Sequence, residues 1–277
     1  MGLFISVIVV ATLALTSCGS SAPTPSPTPT PSASVKPAPK QHAEIFYVGD
    51  TPTGFKLFSE NYQVTDLGIF SLKKLISDLL DGVAKPHDPD YFNLWGNGSS
   101  LNSLKILGPL ARVDLHLGKL NVGSEAEMRA IDEIFWTIAK FMPPITKMNL
   151  LVDGKKVESL AGHVDARQTF ILEPSYDVLS AVQITSVTEG EKMVSPIIVN
   201  GEACTFEANV AWKLSKSGVL VKSGAVTAKE ACPTRSTWTL NLGTLAPGTY
   251  QLASQDFSAK DGSLVAQDTK KFEVVAH

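Results

Sequence analysis

Helically spaced hydrophobic residues occur only in the first part of this chain, and that contrast limits it to a two-part fold. Two stretches, Ser71 to about Asp81 and Ser124 to Phe141, carry apolar residues at helical spacing, whereas beyond about Ser180 apolar residues only alternate. A helical stripe and an alternating strand bury their apolar residues on surfaces of different shape, so each needs its own partner layer. Leu72, Leu75, Ile76, Leu79 and Leu80 predict a helix from Ser71 to about Asp81, stopped by Gly82 and Pro86. Ser124 with Glu127 reads as a capping box opening a second helix. On it Met128, Ile131, Ile134, Phe135, Ile138 and Phe141 form one apolar stripe, ended by Pro143-Pro144.

Strand patterns surround these helices: Glu44–Val48, Phe55–Val64, Leu104–Leu107, Arg112–Leu117, and Thr146–Val152 turning at Asp153-Gly154 into Lys155–Leu160. Residues 43–165 therefore read as an α+β domain, a mixed sheet with two helices. Residues 181–277 read as an all-β sandwich of immunoglobulin type. In it Phe206, Ala208, Val210, Trp212 and Leu214 alternate with Glu207, Asn209, Ala211 and Lys213, and Trp238, Leu240 and Leu242 repeat the pattern. Turns are expected at Asn200-Gly201, Ser217-Gly218, Pro247-Gly248 and Asp261-Gly262. Residues 166–180 carry no clear pattern and are read as an inter-domain linker, with the two domains expected to fold as separate units.

The N-terminus carries a different kind of information. No Asp, Glu, Lys or Arg occurs before Lys36, and Leu3 to Leu15 is apolar except for Ser6 and Thr12. As a helix this run would rise roughly 20 Å, short of a membrane span and right for a signal peptide. It ends in Leu15-Thr16-Ser17-Cys18, which resembles a bacterial lipobox. Residues 1–18 are thus expected to be a lipoprotein signal peptide, with Cys18 carrying a diacylglycerol-type lipid bearing acyl chains such as palmitate. No Lys or Arg precedes the apolar run, a departure from the usual pattern. Residues 19–42 are rich in Ser, Thr, Pro and Ala, with Pro23, Pro25, Pro27, Pro29 and Pro31 in alternation. Such a segment cannot bury enough to offset its ordering entropy and is biased to extended polyproline II. The expected location is the extracellular face of a bacterial cell membrane, of Gram-positive type.

Cysteine usage fits an exported chain. With Cys18 assigned to lipid, Cys204 and Cys232 remain, and a bridge between them is expected. It would contribute on the order of 3 kcal/mol. The net charge of −3 supplies no basic field of the kind nucleic-acid binding needs.

Candidate sites are few. Tyr91, Phe92 and Trp95 fall in a Gly/Asn-rich stretch and form a candidate binding surface, with core packing of Phe92 and Trp95 as the alternative. Asp114 and His116 share one strand face, as a carboxylate–imidazole pair could, or stand there as solvated neighbours. His87, Asp88 and Asp90 form an acidic loop cluster able to hold a weak cation, or a solvated loop set by Pro86 and Pro89. Gly96-Asn97-Gly98-Ser99-Ser100-Leu101 is glycine-rich but lacks the spacing of a phosphate loop and reads as a turn. No nucleophile–base–orienter motif appears, so no enzyme, metal site or cofactor is expected.

These residues resemble a known pairing of domains. The helix Leu75–Gly82, the strand Ala111-Arg112-Val113-Asp114-Leu115, the helix Ile131–Phe141 and the segment Asn149–Gly154 resemble the GerMN, or sporulation and spore-germination, domain. Residues Val194–Gly201 followed by Thr205-Phe206-Glu207-Ala208-Asn209-Val210 resemble the immunoglobulin-like domain of bacterial spore germination proteins. In sandwiches of this kind, a tyrosine like that of Leu245–Tyr250 bonds back to its loop. The resemblance implies a non-enzymatic envelope lipoprotein that binds or scaffolds a protein partner or wall polymer. A wall-glycan-binding protein or hydrolase, and a solute-capture lipoprotein, are the alternatives.

Overall fold

The computed structural model describes residues 41–276. The expected signal peptide, Cys18 and nearly all of the expected tether lie outside that range.

The first domain is built around one doubly buried strand. β1 (Gln41–Thr51) pairs antiparallel with β2 (Gly54–Val64). Ile45 and Tyr47 on one face and Phe46 and Val48 on the other are all buried, because layers cover both sides. On one side lies α1 (Ile69–Leu80), burying Leu72, Leu75, Ile76, Leu79 and Leu80 as the helical spacing predicts. A two-residue strand, β3 (Tyr91–Phe92), pairs with the free edge of β1 at Gly49 and Val48.

A second sheet follows. β4 (Ser100–Leu107) and β5 (Leu110–His116) form an antiparallel hairpin. After α2 (Ser124–Phe141), β6 (Lys147–Val152) returns parallel to β5, and β7 (Phe170–Ile171) closes the edge. Ala111, Val113 and Leu115 of β5 join α1, α2 and β1 in one core.

Two readings of this region are corrected. No strand runs from Lys155 to Leu160; only a single bridge, Val152 to Lys155, marks the turn at Asp153. There is also no capping box, since Gly123 is the N-cap and Ser124 is already helical. The Glu127 carboxylate is used elsewhere, accepting from the backbone N–H groups of Leu160, Ala161, His163 and Val164. The second helix is also more deeply buried than one stripe implies. Asp132, Glu133, Trp136 and Thr137 are covered as well, and Trp136 meets Phe46 across the second face of β1. The Thr137 hydroxyl accepts from Phe46 N–H at 3.1 Å, satisfying a donor that the short β3 leaves unpaired.

A single turn, α3 (Ser175–Val178), leads into β8 (Val182–Ile184). The second domain continues with β9 (Glu191–Val194), β10 (Ile197–Ala203), β11 (Asn209–Lys216), β12 (Val219–Thr227), β13 (Ser236–Gly243), β14 (Gly248–Phe257) and β15 (Leu264–Val275). They form two facing sheets, β13-β10-β8 and β12-β11-β14-β15-β9. The core between them holds Val199, Val210, Leu214, Trp238, Leu240, Leu252 and Phe272. The Tyr250 hydroxyl donates to the Ala246 carbonyl at 2.9 Å, and Cys204 and Cys232 are joined by a disulfide.

Here two turn and strand readings fail for local reasons. Asn200-Gly201 lies inside β10, where the glycine lets the Trp238 ring and the Gln183 carbonyl approach; a Cβ would collide with both. The strand expected from Thr205 starts only at Asn209. Glu207 and Ala208 have φ of 56° and 57°, which turns Phe206 out to 69% exposure.

The linker does not hang free. Ser180 N–H donates to the Leu57 carbonyl at 3.0 Å, Leu179 bridges in parallel to Leu57, and Lys56 Nζ donates to the Asp177 carbonyl at 2.7 Å. It runs along the outer edge of β2, and both domains belong to one compact unit.

Candidate functional site

The joint between the domains is assembled from a loop, a strand edge and two polar residues of a sandwich strand. On β15 the inward residues are Ala266, Asp268, Lys270, Phe272 and Val274. Ala266, Phe272 and Val274 enter the sandwich core, whereas Asp268 and Lys270, between them on the same face, reach Tyr91 and Asp88 of the first domain. From the other side comes the loop after α1. Glu60 of β2 accepts from His87 N–H at 2.8 Å and Asp88 N–H at 2.9 Å, which fixes that loop on the sheet. Tyr91 follows on β3, its ring stacked on Phe58 with centroids 4.6 Å apart. Gly49 makes room for this stack, since a Cβ there would collide with the Phe58 ring.

Where these parts meet, Lys270 Nζ rests directly on Asp88 Oδ2. It also donates to Tyr91 Oη at 2.7 Å and lies 3.4 Å from Asp268 Oδ1. Tyr91 Oη donates to Asp268 Oδ1 at 2.6 Å, and Asp268 Oδ2 accepts from Ile184 N–H at 2.6 Å. At the rim, Thr269 Oγ1 donates to Asp90 Oδ2 at 2.9 Å. The side chains of Lys270, Asp88 and Asp268 are 5%, 2% and 1% exposed. Burial pushes the Asp268 carboxyl above the usual carboxylate range, with Lys270 offsetting part of this. For Lys270 burial acts to lower the ammonium, but Asp268 and Asp88 outweigh it and hold it above its ordinary value. Burial and the Asp268 charge raise Tyr91 well above a free tyrosine, so it stays a hydrogen-bond donor. Beside the network Gln183 reaches back to β2: its Oε1 accepts from Ser59 N–H at 3.2 Å and its Nε2 donates to the Ser59 carbonyl at 2.5 Å. A cleft of about 770 Å³ opens above, lined by Glu44, Glu60, His87, Glu189 and Glu202, with Lys270 touching it.

The two halves of this joint match two known families. Residues 45–158 match the family described as sporulation and spore germination. Residues 181–263 match the immunoglobulin-like domain of bacterial spore germination. The chain joins these two spore-germination domains. Among solved structures, a candidate lipoprotein from Clostridium perfringens is 22% identical, covering 50% of this chain and 93% of its own, with a TM-score of 0.34. The first GerMN domain of the sporulation protein GerM from Bacillus subtilis is 14% identical, covering 48% and 98%, with a TM-score of 0.38. The tandem GerMN domains of the same protein are 11% identical, covering 74% and 62%, with a TM-score of 0.39. No curated protein matches the chain.

The germination-type domains place the sequence-derived candidates as follows. Tyr91 and Trp95 are 5% and 4% exposed and Phe92 is half-buried, so these three do not form an open binding surface. Trp95 Nε1 donates to the Ala130 carbonyl of α2 at 2.8 Å, and Phe92 packs edge-on against Phe55. The Gly/Asn-rich stretch is irregular because it threads between α1, α2 and β1, with Leu94 N–H donating to buried Glu133. His87, Asp88 and Asp90 do not act as one cluster: Asp88 meets the chain's own Lys270, His87 Nδ1 lies 3.1 Å from Glu60 Oε2, and Asp90 accepts from Thr269. Among the described residues no group of three His, Cys, Asp or Glu side chains is placed to hold a metal. Asp114 and His116 do not pair: Asp114 accepts from Gly154 N–H, and His116 Nδ1 lies 3.1 Å from Asp153 Oδ1 on the exposed face. Gly96 to Ser99 is a turn leading into β4, in which buried Ser99 Oγ accepts from Gly118 N–H at 3.1 Å. Among the described residues no helix is long and apolar enough to cross a membrane.

Asp268 and Lys270 went unread in the sequence. The signal was present: both lie in phase with Phe272 and Val274, and charges on the apolar phase of a strand mark a buried ionic site.

Proposed function

We propose that this chain is a non-enzymatic lipoprotein of the bacterial envelope, held outside the membrane by a lipid on Cys18. Its two germination-type domains would present one rigid surface to a protein partner or wall polymer. The observation that carries this reading is the joint. Lys270 and Asp268 of one domain and Asp88 of the other, all buried, hold the two domains against each other. Leu15-Thr16-Ser17-Cys18 and the proline-rich tether support the anchor and the stand-off from the bilayer.

Fractionation of cells carrying Cys18→Ala tests the anchor. The variant is expected in the medium or as an uncleaved precursor; a processed, detergent-soluble form would overturn lipidation. Incubation of the purified chain with peptidoglycan tests the non-enzymatic reading. No released fragments are expected, and release that is lost on substituting Asp114 and His116 would restore the hydrolase alternative.

A further inference from the structure

We infer that the joint is a self-crosslinking site, in which Lys270 Nζ condenses with the Asp88 carboxyl to form an amide bond between the two domains. The required arrangement is present. The amine touches the carboxyl it would attack, both side chains are nearly buried at 5% and 2% exposure, and a second carboxyl, Asp268, stands 3.4 Å from the nucleophile. Tyr91 donates to Asp268 and lies under the amine, with Nζ 4.3 Å from its ring centroid, so the three groups are held in register. Holding reactants in contact replaces a bimolecular encounter by an effectively unimolecular step.

Charge explains why the reaction could proceed here and not between an ordinary surface pair. With both aspartates ionised and one lysine, the site would carry a net negative charge inside the protein, which burial opposes. One added proton makes it neutral, as one ammonium, one carboxylate and one carboxylic acid. Moving the ammonium proton to the remaining carboxylate keeps it neutral and leaves a free amine facing two carboxylic acids. Nζ then attacks Asp88 Cγ and the C–N bond forms. Asp268 takes a proton from the nitrogen and returns one to the departing hydroxyl, the C–O bond breaks, and one water leaves. Asp268 ends as it began, and no oxidant, reductant or cofactor is consumed. The product replaces two buried charges by a neutral amide.

Peptide mapping of the purified full chain tests this. Trypsin should release Leu75–Lys105 joined to Asp261–Lys271, uncleaved at Lys270, at the summed mass less one water. Separate peptides, with cleavage after Lys270, would overturn the proposal, and this readout requires no variant. Lys270→Arg and Asp88→Ala should abolish the joined species. Asp268→Asn, which retains both reacting groups, should reduce it at least tenfold. An undiminished yield in Asp268→Asn, with circular dichroism matching the parent, would overturn the proton-relay role given to Asp268.

Discussion

Glu127 and the Asp88–Asp268 pair are both buried carboxylates, but they are compensated in opposite ways. Glu127 is fully buried at the start of α2 and faces no cation. Four backbone N–H groups from residues 160–164 converge on its two oxygens at 2.8–3.1 Å. Burial raises its pKa, yet those four donors outweigh it and bring the group below its ordinary value. Asp88 and Asp268 are instead neutralised by Lys270, a side chain from the other domain in the case of Asp88. Backbone dipoles that all belong to one loop order that loop alone. A lysine from a separate domain ties two bodies together. Where the compensating charge comes from therefore decides whether a buried carboxylate shapes a local turn or a domain arrangement.

The largest expected effect comes from removing the cation. Lys270→Met removes the cation, and with it any amide to Asp88, leaves two buried carboxylates unpaired and should cost at least about 3–5 kcal/mol in urea unfolding, with Asp88→Asn and Asp268→Asn added to it recovering the part due to the unpaired charges. An unchanged midpoint would show that the joint does not couple the domains. Next comes Glu127→Gln, expected to cost about 2–3 kcal/mol because a neutral amide cannot accept four donors. Hydrogen exchange should speed up at Leu160, Ala161, His163 and Val164 and stay slow at Ile184, whose amide is held by Asp268. Equal acceleration at both places would erase the contrast.

The pH dependence sharpens the same comparison. Glu127 has a depressed folded pKa, so its contribution is present above the ordinary glutamate value near about 4.3 and is lost as pH falls through the folded value. Asp268 has a raised folded pKa, so its contribution is present below the ordinary aspartate value near about 3.9 and is lost as pH rises through the folded value. Glu127→Gln should flatten the acid limb of a stability–pH curve and Asp268→Asn the opposite slope. Slopes that change in the same direction in both variants would contradict the assignment. Tyr91→Phe removes one donor to Asp268 and one acceptor from Lys270, and about 1–2 kcal/mol is expected by thermal or urea unfolding. The smallest effect is His116→Ala: its contact with Asp153 is solvent-exposed, and a change within about 0.5 kcal/mol is expected by the same measurement.

Much of the architecture was legible where one residue pattern has one structural meaning. The five aliphatics of α1 at helical spacing, and the alternation Trp238, Leu240, Leu242 in β13, led to the elements observed. Reading failed where a residue answers to something distant in sequence. Glu127 satisfies the local rule for a capping box, but four donors more than thirty residues away offer a better set of bonds. Asn200-Gly201 has the composition of a turn, yet Trp238 requires a glycine at that point of a strand. Tyr91, Phe92 and Trp95 sit in a loop-like stretch that the two helices and β1 enclose.

The sequence by itself determined the two kinds of domain, the helices, most strands and the pairing of Cys204 with Cys232, because local periodicity, composition and cysteine parity carry these. Only the tertiary structure decided that the domains lie against each other. Asp88 and Lys270 are 182 residues apart, and nothing in the chain near either names its partner. Burial alone turns an ordinary loop aspartate and an ordinary strand lysine into a site, because removal from water makes each charge costly until the other arrives.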